Sequence, residues 1–194
     1  MRVNDSGLRG HSLYDSYARP DPKRMHDPDI EAARAGDVRA FERIFTAHHR
    51  TVYALATRMT SSEIDAMDVA QDTFVTAWHR LATFRGDSTA RTWLCGIAIR
   101  HAMRARRRLG RMRRREEAFA SERESVQWPP LAESCIDLER AIASLPLRMR
   151  AAVVLHCIHG YTQAEAARMM GVAEGTVKAH VHKGRQLLRE RLGR

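Results

Sequence analysis

The chain has 194 residues, 44% of them apolar and 29% charged, with a net charge of +10 and a pI near 10.5. That length admits one domain or two small ones, and the charge asks for a polyanionic partner, nucleic acid before an acidic membrane surface. No apolar run is long enough for membrane insertion, and no apolar signal core follows Met1-Arg-Val-Asn-Asp. The three cysteines stand far apart, which excludes a disulfide framework, so a cytoplasmic protein is expected.

Residues 1–27 mix Gly, Ser, Asp, Pro and Arg without periodicity and read as a disordered tail. Met25 stands just before organised sequence begins, so the natural start is expected at Met1 or Met25. A first helical module is expected over 28–112. Ile30 to Ala35 is a short helix stopped by Gly36. From Val38 to about Met59, Phe41, Ile44, Phe45, His48, Val52, Leu55 and Ala56 recur at helical spacing as a core-facing stripe. The next helix spans Ser61 to Trp78, with Ala70, Phe74, Ala77, Trp78 and Leu81 on its buried side. Asp65, Asp68 and Asp72 line another face beside Gln71.

Carboxylates repel DNA, so this acidic face belongs to something else. Compensation of the helix dipole explains Glu63 and Asp65 in the first turn but not Asp72, deeper in the helix. A protein-docking face accounts for all of them.

Phe84-Arg-Gly-Asp-Ser88 is a loop turning into a helix, with Gly86 at the bend and Asp87 or Ser88 as the cap. That helix ends in a run of nine arginines within sixteen positions, from Arg100 to Arg115. Solvated helix faces usually interleave signs; one sign this dense repels itself unless phosphates neutralise it. Residues 113–133, with Trp128-Pro-Pro130, read as a linker between two helical modules.

The second module, over 134–194, begins with helices at Cys135–Ala143 and Leu147–Ile158, with Pro146 suited to a first turn. Two further helices follow, with a tight turn between them. Thr162 and Glu165 have capping-box spacing, Gly171 sits where the chain must leave the helix with positive φ, and Val172 and Val177 plug the angle. This is the steric signature of a helix-turn-helix. Val177, Val181, Leu188 and Leu192 form the inner stripe of the last helix, and Lys178, His182, Arg185 and Arg189 its outer face, which suits a major groove. Glycine turns also occur in ordinary helical hairpins, so the pattern alone does not name a function. His156, Cys157 and His159 crowd together but point in different directions from one turn, so neither a metal nor a cofactor is expected. No nucleophile-and-base pattern or glycine-rich phosphate loop suggests an enzyme.

In order along the chain, these motifs resemble the extracytoplasmic-function sigma factors of bacterial RNA polymerase, over about residues 29–193. Asp65 through Trp78 looks like the segment that docks on the polymerase clamp helices. Phe84 through Leu94 looks like the minus-ten reading segment. Leu145 through Leu155, with Gly160 through Arg185, looks like the minus-thirty-five domain.

The resemblance implies an all-α fold in two small domains and no catalysis. Asp65, Asp68, Gln71 and Asp72 would contact RNA polymerase core. Phe84, Arg85, Gly86, Asp87 and Ser88 would receive an unstacked minus-ten base, with Arg91, Arg100, His101 and Arg104 on the melted strand and Trp93 in the core. Glu174, Thr176, Lys178, Ala179, His182, Lys183 and Arg185 would read duplex minus-thirty-five DNA. Partners would be the clamp helices and flap of polymerase core, promoter DNA and an anti-sigma factor. The chain departs from the family's common pattern at Ile99-Arg100, at Ala173 in place of a serine cap, and at His156-Cys-Ile-His159. A stand-alone helix-turn-helix regulator is the rival reading, and an RNA-binding adaptor a third; neither explains every motif.

Overall fold

A computed structural model describes residues 27–60, 62–116 and 133–193. They are helical throughout, with no strand among them. The first module holds α1 (Pro28–Arg34), α2 (Val38–Thr60), α3 (Glu63–Arg80), a 3₁₀ turn (Leu81–Thr83) and α4 (Ala90–Glu116). The second holds α5 (Glu133–Ala143), α6 (Leu147–Val153), a π turn (Val154–Ile158), α7 (Gln163–Met170) and α8 (Glu174–Leu192).

Local sequence sets the boundaries. Asp27, counted with the tail in the sequence reading, caps α1 by accepting the Asp29 amide at 3.1 Å, and Pro28 opens the helix where a missing N–H costs nothing. Ser62 caps α3 through the Asp65 amide. Thr89, not Asp87 or Ser88, caps α4, its hydroxyl accepting the Thr92 amide at 3.1 Å. The bend at Gly86 (φ 74°) consumes the two residues that sequence alone offered for that task. Helix α4 runs to Glu116, into the stretch read as linker. Residues 117–132, including Trp128-Pro-Pro130, and residues 1–26 lie outside those described.

Helices α2, α3 and α4 pack as a three-helix core. Val52, Leu55 and Met59 of α2, Ala66, Val69 and Phe74 of α3, and Leu94, Ile97 and Ile99 of α4 are buried in one cluster, each burial contributing about 1.5–3 kcal/mol for the larger side chains. Ala56, Ala66, Ala77, Ala98 and Ala102, all fully buried, let the helices approach closely. Two stripe assignments change. Phe45 and Trp78 face outward, Phe45 edge-on to Phe74 and Trp78 edge-on to Phe41.

In the second module Thr162 and Glu165 form the full capping box, and Gly171 ends α7 at φ 65°. The helix expected through Ile158 widens at Val154 into a π turn, marked by the His159 amide donating to the Val154 carbonyl at 3.0 Å. Helices α6 and α8 cross at Gly184.

The modules are not apart. One continuous apolar core joins α2 and α4 to Leu155, Tyr161 and Met169. Arg150 of α6 is 1% exposed and donates to the Met59 carbonyl of α2 at 3.1 Å. Arg58 of α2 pairs with Glu139 of α5 at 3.2 Å.

A Cβ at position 184 would stand 2.6 Å from Val153 Cγ2 and 3.0 Å from Met149 Cγ. Alanine favours a helix by about 1 kcal/mol over glycine, but overpacking against a buried β-branched side chain costs about 1–3 kcal/mol. Gly184→Ala should therefore lower the free energy of unfolding by about 1 kcal/mol in urea titrations. A more stable variant would mean that α6 can slide away.

Candidate nucleic-acid interface and docking face

Three surfaces stand out, each set by a different helix. On α3, Ile64, Met67, Gln71, Val75 and Trp78 fall on one face at helical spacing, and the four apolar members are 75%, 58%, 50% and 37% exposed. Asp68 and Asp72, with Gln71 between them, are solvent-facing along the same stretch, and Asp65 is half-buried. The carboxylate edge is the face that the sequence reading singled out; the apolar stripe beside it was missed, Trp78 being placed on the buried side. Helix α3 carries apolar residues on both sides, and periodicity alone does not say which side is covered.

The second surface is the loop and α4. Phe84 is buried, its ring 5.1 Å from that of Trp93, and its carbonyl accepts Arg34 at 3.4 Å. It shapes the loop from within, leaving Arg85 and Asp87 exposed and Gly86 and Ser88 half-exposed. Arg100 and Arg104 are exposed and share a basic groove between α3 and α4 with His79, Arg80 and His101. Mutual repulsion with Arg80 and Arg104 lowers the pKa of Arg100 further after burial has done so, a tension that an anion in the groove would relieve.

His101 has a fixed partner. Its Nε2 lies 2.9 Å from Thr76 Oγ1, and Nδ1 lies 3.9 Å from an Asp72 carboxylate oxygen. Burial, more than the opposing pull of Asp72, lowers its pKa, with Arg104, Arg100 and Arg80 adding to that, so at neutral pH it pins α4 to α3 as a neutral ring. Arg91 is half-buried, its guanidinium 5.7 Å from the centre of the Tyr161 ring across the joint between the modules. The side chains of Arg111, Arg113, Arg114 and Arg115 lie outside those described.

The third surface is α8. Glu174, Lys178, Ala179, His182, Lys183 and Arg185 are exposed and Thr176 half-exposed. Lys178, His182, Arg185 and Arg189 line a shallow groove closed at one side by His156 and Gln163. His156 is held there by its Nδ1, 2.7 Å from the Tyr161 carbonyl. Ala173 gives α8 no side-chain cap, so its first amides remain available to an anion. No cluster of three or more metal-ligating side chains occurs among the described residues, and no described helix is long and apolar enough to cross a membrane.

A helix-turn-helix whose outer face is cationic, joined to a second module with a basic groove and a separate acidic-apolar face, defines a DNA-binding protein that also docks on another protein. Residues 44–112 match Sigma-70 region 2, and residues 135–188 match Sigma-70, region 4. The chain is 36% identical to the ECF RNA polymerase sigma factor SigM of Mycobacterium tuberculosis over 174 residues, 86% of this chain and 85% of that one. It is 32% identical to the ECF RNA polymerase sigma factor SigE of Mycolicibacterium smegmatis, over 80% of this chain and 62% of the relative.

Among solved structures, the sigma factor RpoE in complex with the anti-sigma factor NepR from Bartonella quintana matches with a TM-score of 0.68 and 26% identity, covering 80% of this chain and 98% of that one. CnrH in complex with the cytosolic domain of CnrY matches at 0.63 and 26%, covering 89% and 98%. The chain belongs to the extracytoplasmic-function sigma factors, alternative sigma factors of RNA polymerase.

His159 lies in the joint between the modules, near Arg58 and Arg91. Burial first, then those two cations, lower its pKa to about 3. Between that value and the 6.5 of an exposed imidazole the unfolded chain holds the extra proton, so stability falls as pH drops through this window. Urea midpoints measured from pH 7 to pH 5 should decline less steeply for His159→Gln than for the unmodified chain, although His48 and His101, lowered in the same direction, contribute to both. Equal slopes would place the acid sensitivity elsewhere.

Proposed function

We propose that this sigma factor reads its promoters and holds polymerase through the three surfaces in separate roles. The outward face of α3 docks on the clamp helices of RNA polymerase core, its apolar stripe burying against the partner while Asp65, Asp68, Gln71 and Asp72 bond at the rim. The loop from Phe84 to Ser88 takes up a flipped minus-ten base, and Arg91, Arg100 and Arg104 hold the strand backbone. His101 orients this groove from behind. Helix α8 enters the major groove of the minus-thirty-five element, with Lys178 and Arg185 able to reach guanine edges or phosphates, and the second module also meets the polymerase flap.

The observation that carries the reading is the exposed apolar stripe on α3 beside carboxylates, within a chain of net charge +10. A stand-alone helix-turn-helix regulator would leave that stripe facing water without a task. The two solved relatives named above were each captured with a protein bound, one of them described as an anti-sigma factor. We extend this to the present chain: a protein inhibitor holds it until a signal releases it.

Met67→Lys should weaken binding to polymerase core by about 2 kcal/mol, roughly 30-fold, as expected for a central apolar contact, with helicity by circular dichroism unchanged. Wild-type core affinity in that variant would remove α3 from the docking face. Lys178→Ala should weaken use of the minus-thirty-five element by about 1–3 kcal/mol if it bonds a base. In vitro transcription from a library of minus-thirty-five variants distinguishes the cases: an unaltered ranking would leave Lys178 with phosphate contacts only.

A further inference from the structure

Beyond Arg104, the arginine run on α4 belongs to none of the three surfaces described above. From Ala90 to Arg115 the helix carries no carboxylate, so no partner one turn away on α4 neutralises it. Compensation of the helix dipole favours cations in a last turn, which accounts for Arg113, Arg114 and Arg115 but not for Arg107 and Arg108, well before it.

Helix geometry sorts the run. At 3.6 residues per turn, Arg100, Arg104, Arg107, Arg108, Arg111 and Arg115 fall on one face of α4, within an arc of about 100°. Arg114 falls at its edge. Arg100, Arg104, Arg107 and Arg108 are exposed, so the stripe continues the strand-holding groove without a break. Arg106 and Arg113 fall opposite, on the side where Ala98 and Ala102 are buried. Arg106 is used internally, donating to the Thr60 carbonyl at 3.2 Å. That contact also shows where the helix outruns its module. Helix α2 ends at Thr60, level with Arg106, and α4 continues to Glu116, about 15 Å further.

Connectivity gives the overhang a direction. The amino end of α4 follows the loop assigned to the flipped base, and its carboxyl end leads through residues 117–132 to the minus-thirty-five module. The overhang therefore points upstream, where the strands are paired again, and about 15 Å spans about four base pairs. We propose that this stripe is a sequence-independent clamp on the phosphates of the duplex between the two promoter elements. The proposal rests on the minus-ten assignment made above. Duplex DNA carries one charge per about 1.7 Å of axis, a density that a row of cations at one-turn intervals meets with several contacts at once. Phosphate contacts read no bases, so the stripe adds grip without changing which promoters are chosen.

The test uses the chain bound to polymerase core and two forked templates without a minus-thirty-five element. One ends at the upstream edge of the minus-ten element; the other carries about ten further base pairs of duplex. That addition should tighten binding about tenfold for the unmodified chain. Combining Arg107→Gln, Arg108→Gln, Arg111→Gln and Arg115→Gln keeps good helix formers and should abolish the gain. The slope of log affinity against log salt on the longer template should fall by about two to three. Lysine at the same four positions should restore both, because a phosphate contact needs the charge rather than the guanidinium fork. Arg113→Gln, off the stripe, should leave the gain intact.

A gain that survives the four glutamines, an equal loss from Arg113→Gln, or a lysine variant as weak as the glutamine one would overturn the proposal. So would weaker binding to core with the duplex gain unchanged, which would give the stripe to an acidic protein surface instead. Failure of the unmodified chain to bring core to either template would overturn the promoter reading, and the clamp with it.

Discussion

The carbonyl end of α2 is where both modules are anchored. A helix that stops at Thr60 leaves its last carbonyls without intrahelical donors, carrying about half a negative charge between them. Two arginines supply what is missing. Arg106, from the same module, donates to the Thr60 carbonyl at 3.2 Å, and Arg150, from the other module, donates to Met59 at 3.1 Å. The Thr60 hydroxyl turns back to Ala56 at 2.9 Å and fixes the geometry of that last turn. Burial lowers the pKa of Arg150 to about 10, with Arg106 contributing next, so the guanidinium stays charged at neutral pH while paying for its desolvation. That balance explains why a fully buried cation can hold two domains together without welding them.

Charge is sorted by helix in a way the net value of +10 conceals. Cations gather on α4 and on the outer face of α8, while the carboxylates of α3 lie beside an apolar stripe. His101 marks the border, reaching Thr76 and approaching Asp72 from a helix that also exposes Arg100, Arg104, Arg107 and Arg108. A neutral ring at this point lets acidic and basic faces share a module without a buried charged pair, which would cost several kcal/mol of desolvation per ion. The acidic-apolar face of α3 and the basic groove between α3 and α4 are therefore adjacent yet electrostatically distinct.

Much of this was legible in the residue order, and the exceptions have physical causes. Thr162, Glu165 and Gly171 announced the helix-turn-helix because caps and left-handed turns are local chemistry, and α8 kept its inner and outer stripes. Phe45 and Trp78 were placed inside because aromatic residues at helical spacing usually are. Here each leans edge-on against one neighbour, Phe45 also stacking on His49, and each stays more than a third exposed. Phe84 pointed to a loop whose ring proves buried, since a ring two residues before a positive-φ glycine can fold back on Trp93. The joint between the modules was invisible for a different reason. Nothing in the spacing of Glu139 or Arg150 within their helices marks them for a partner in the other module, and only the path of α2 beneath them turns them into links.

How tightly the modules hold each other can be bounded from the kinds of contact they make. Interfaces between domains of one chain behave as transient contacts unless they are large and apolar. This one mixes apolar contacts continuous with the core with polar links such as Arg58–Glu139 and Arg150 on the Met59 carbonyl, and a polar link of this kind exchanges water for a partner at a small net gain. The Arg58–Glu139 pair is only partly screened from solvent, which confines it to the lower end of the range for ion pairs. Arg150 is the exception, since separation would return a buried guanidinium to water and so recover much of its desolvation cost. The same group that fixes the closed geometry therefore lowers the cost of leaving it, and a partner that gains new contacts on both modules needs to supply only a few kcal/mol to shift the population.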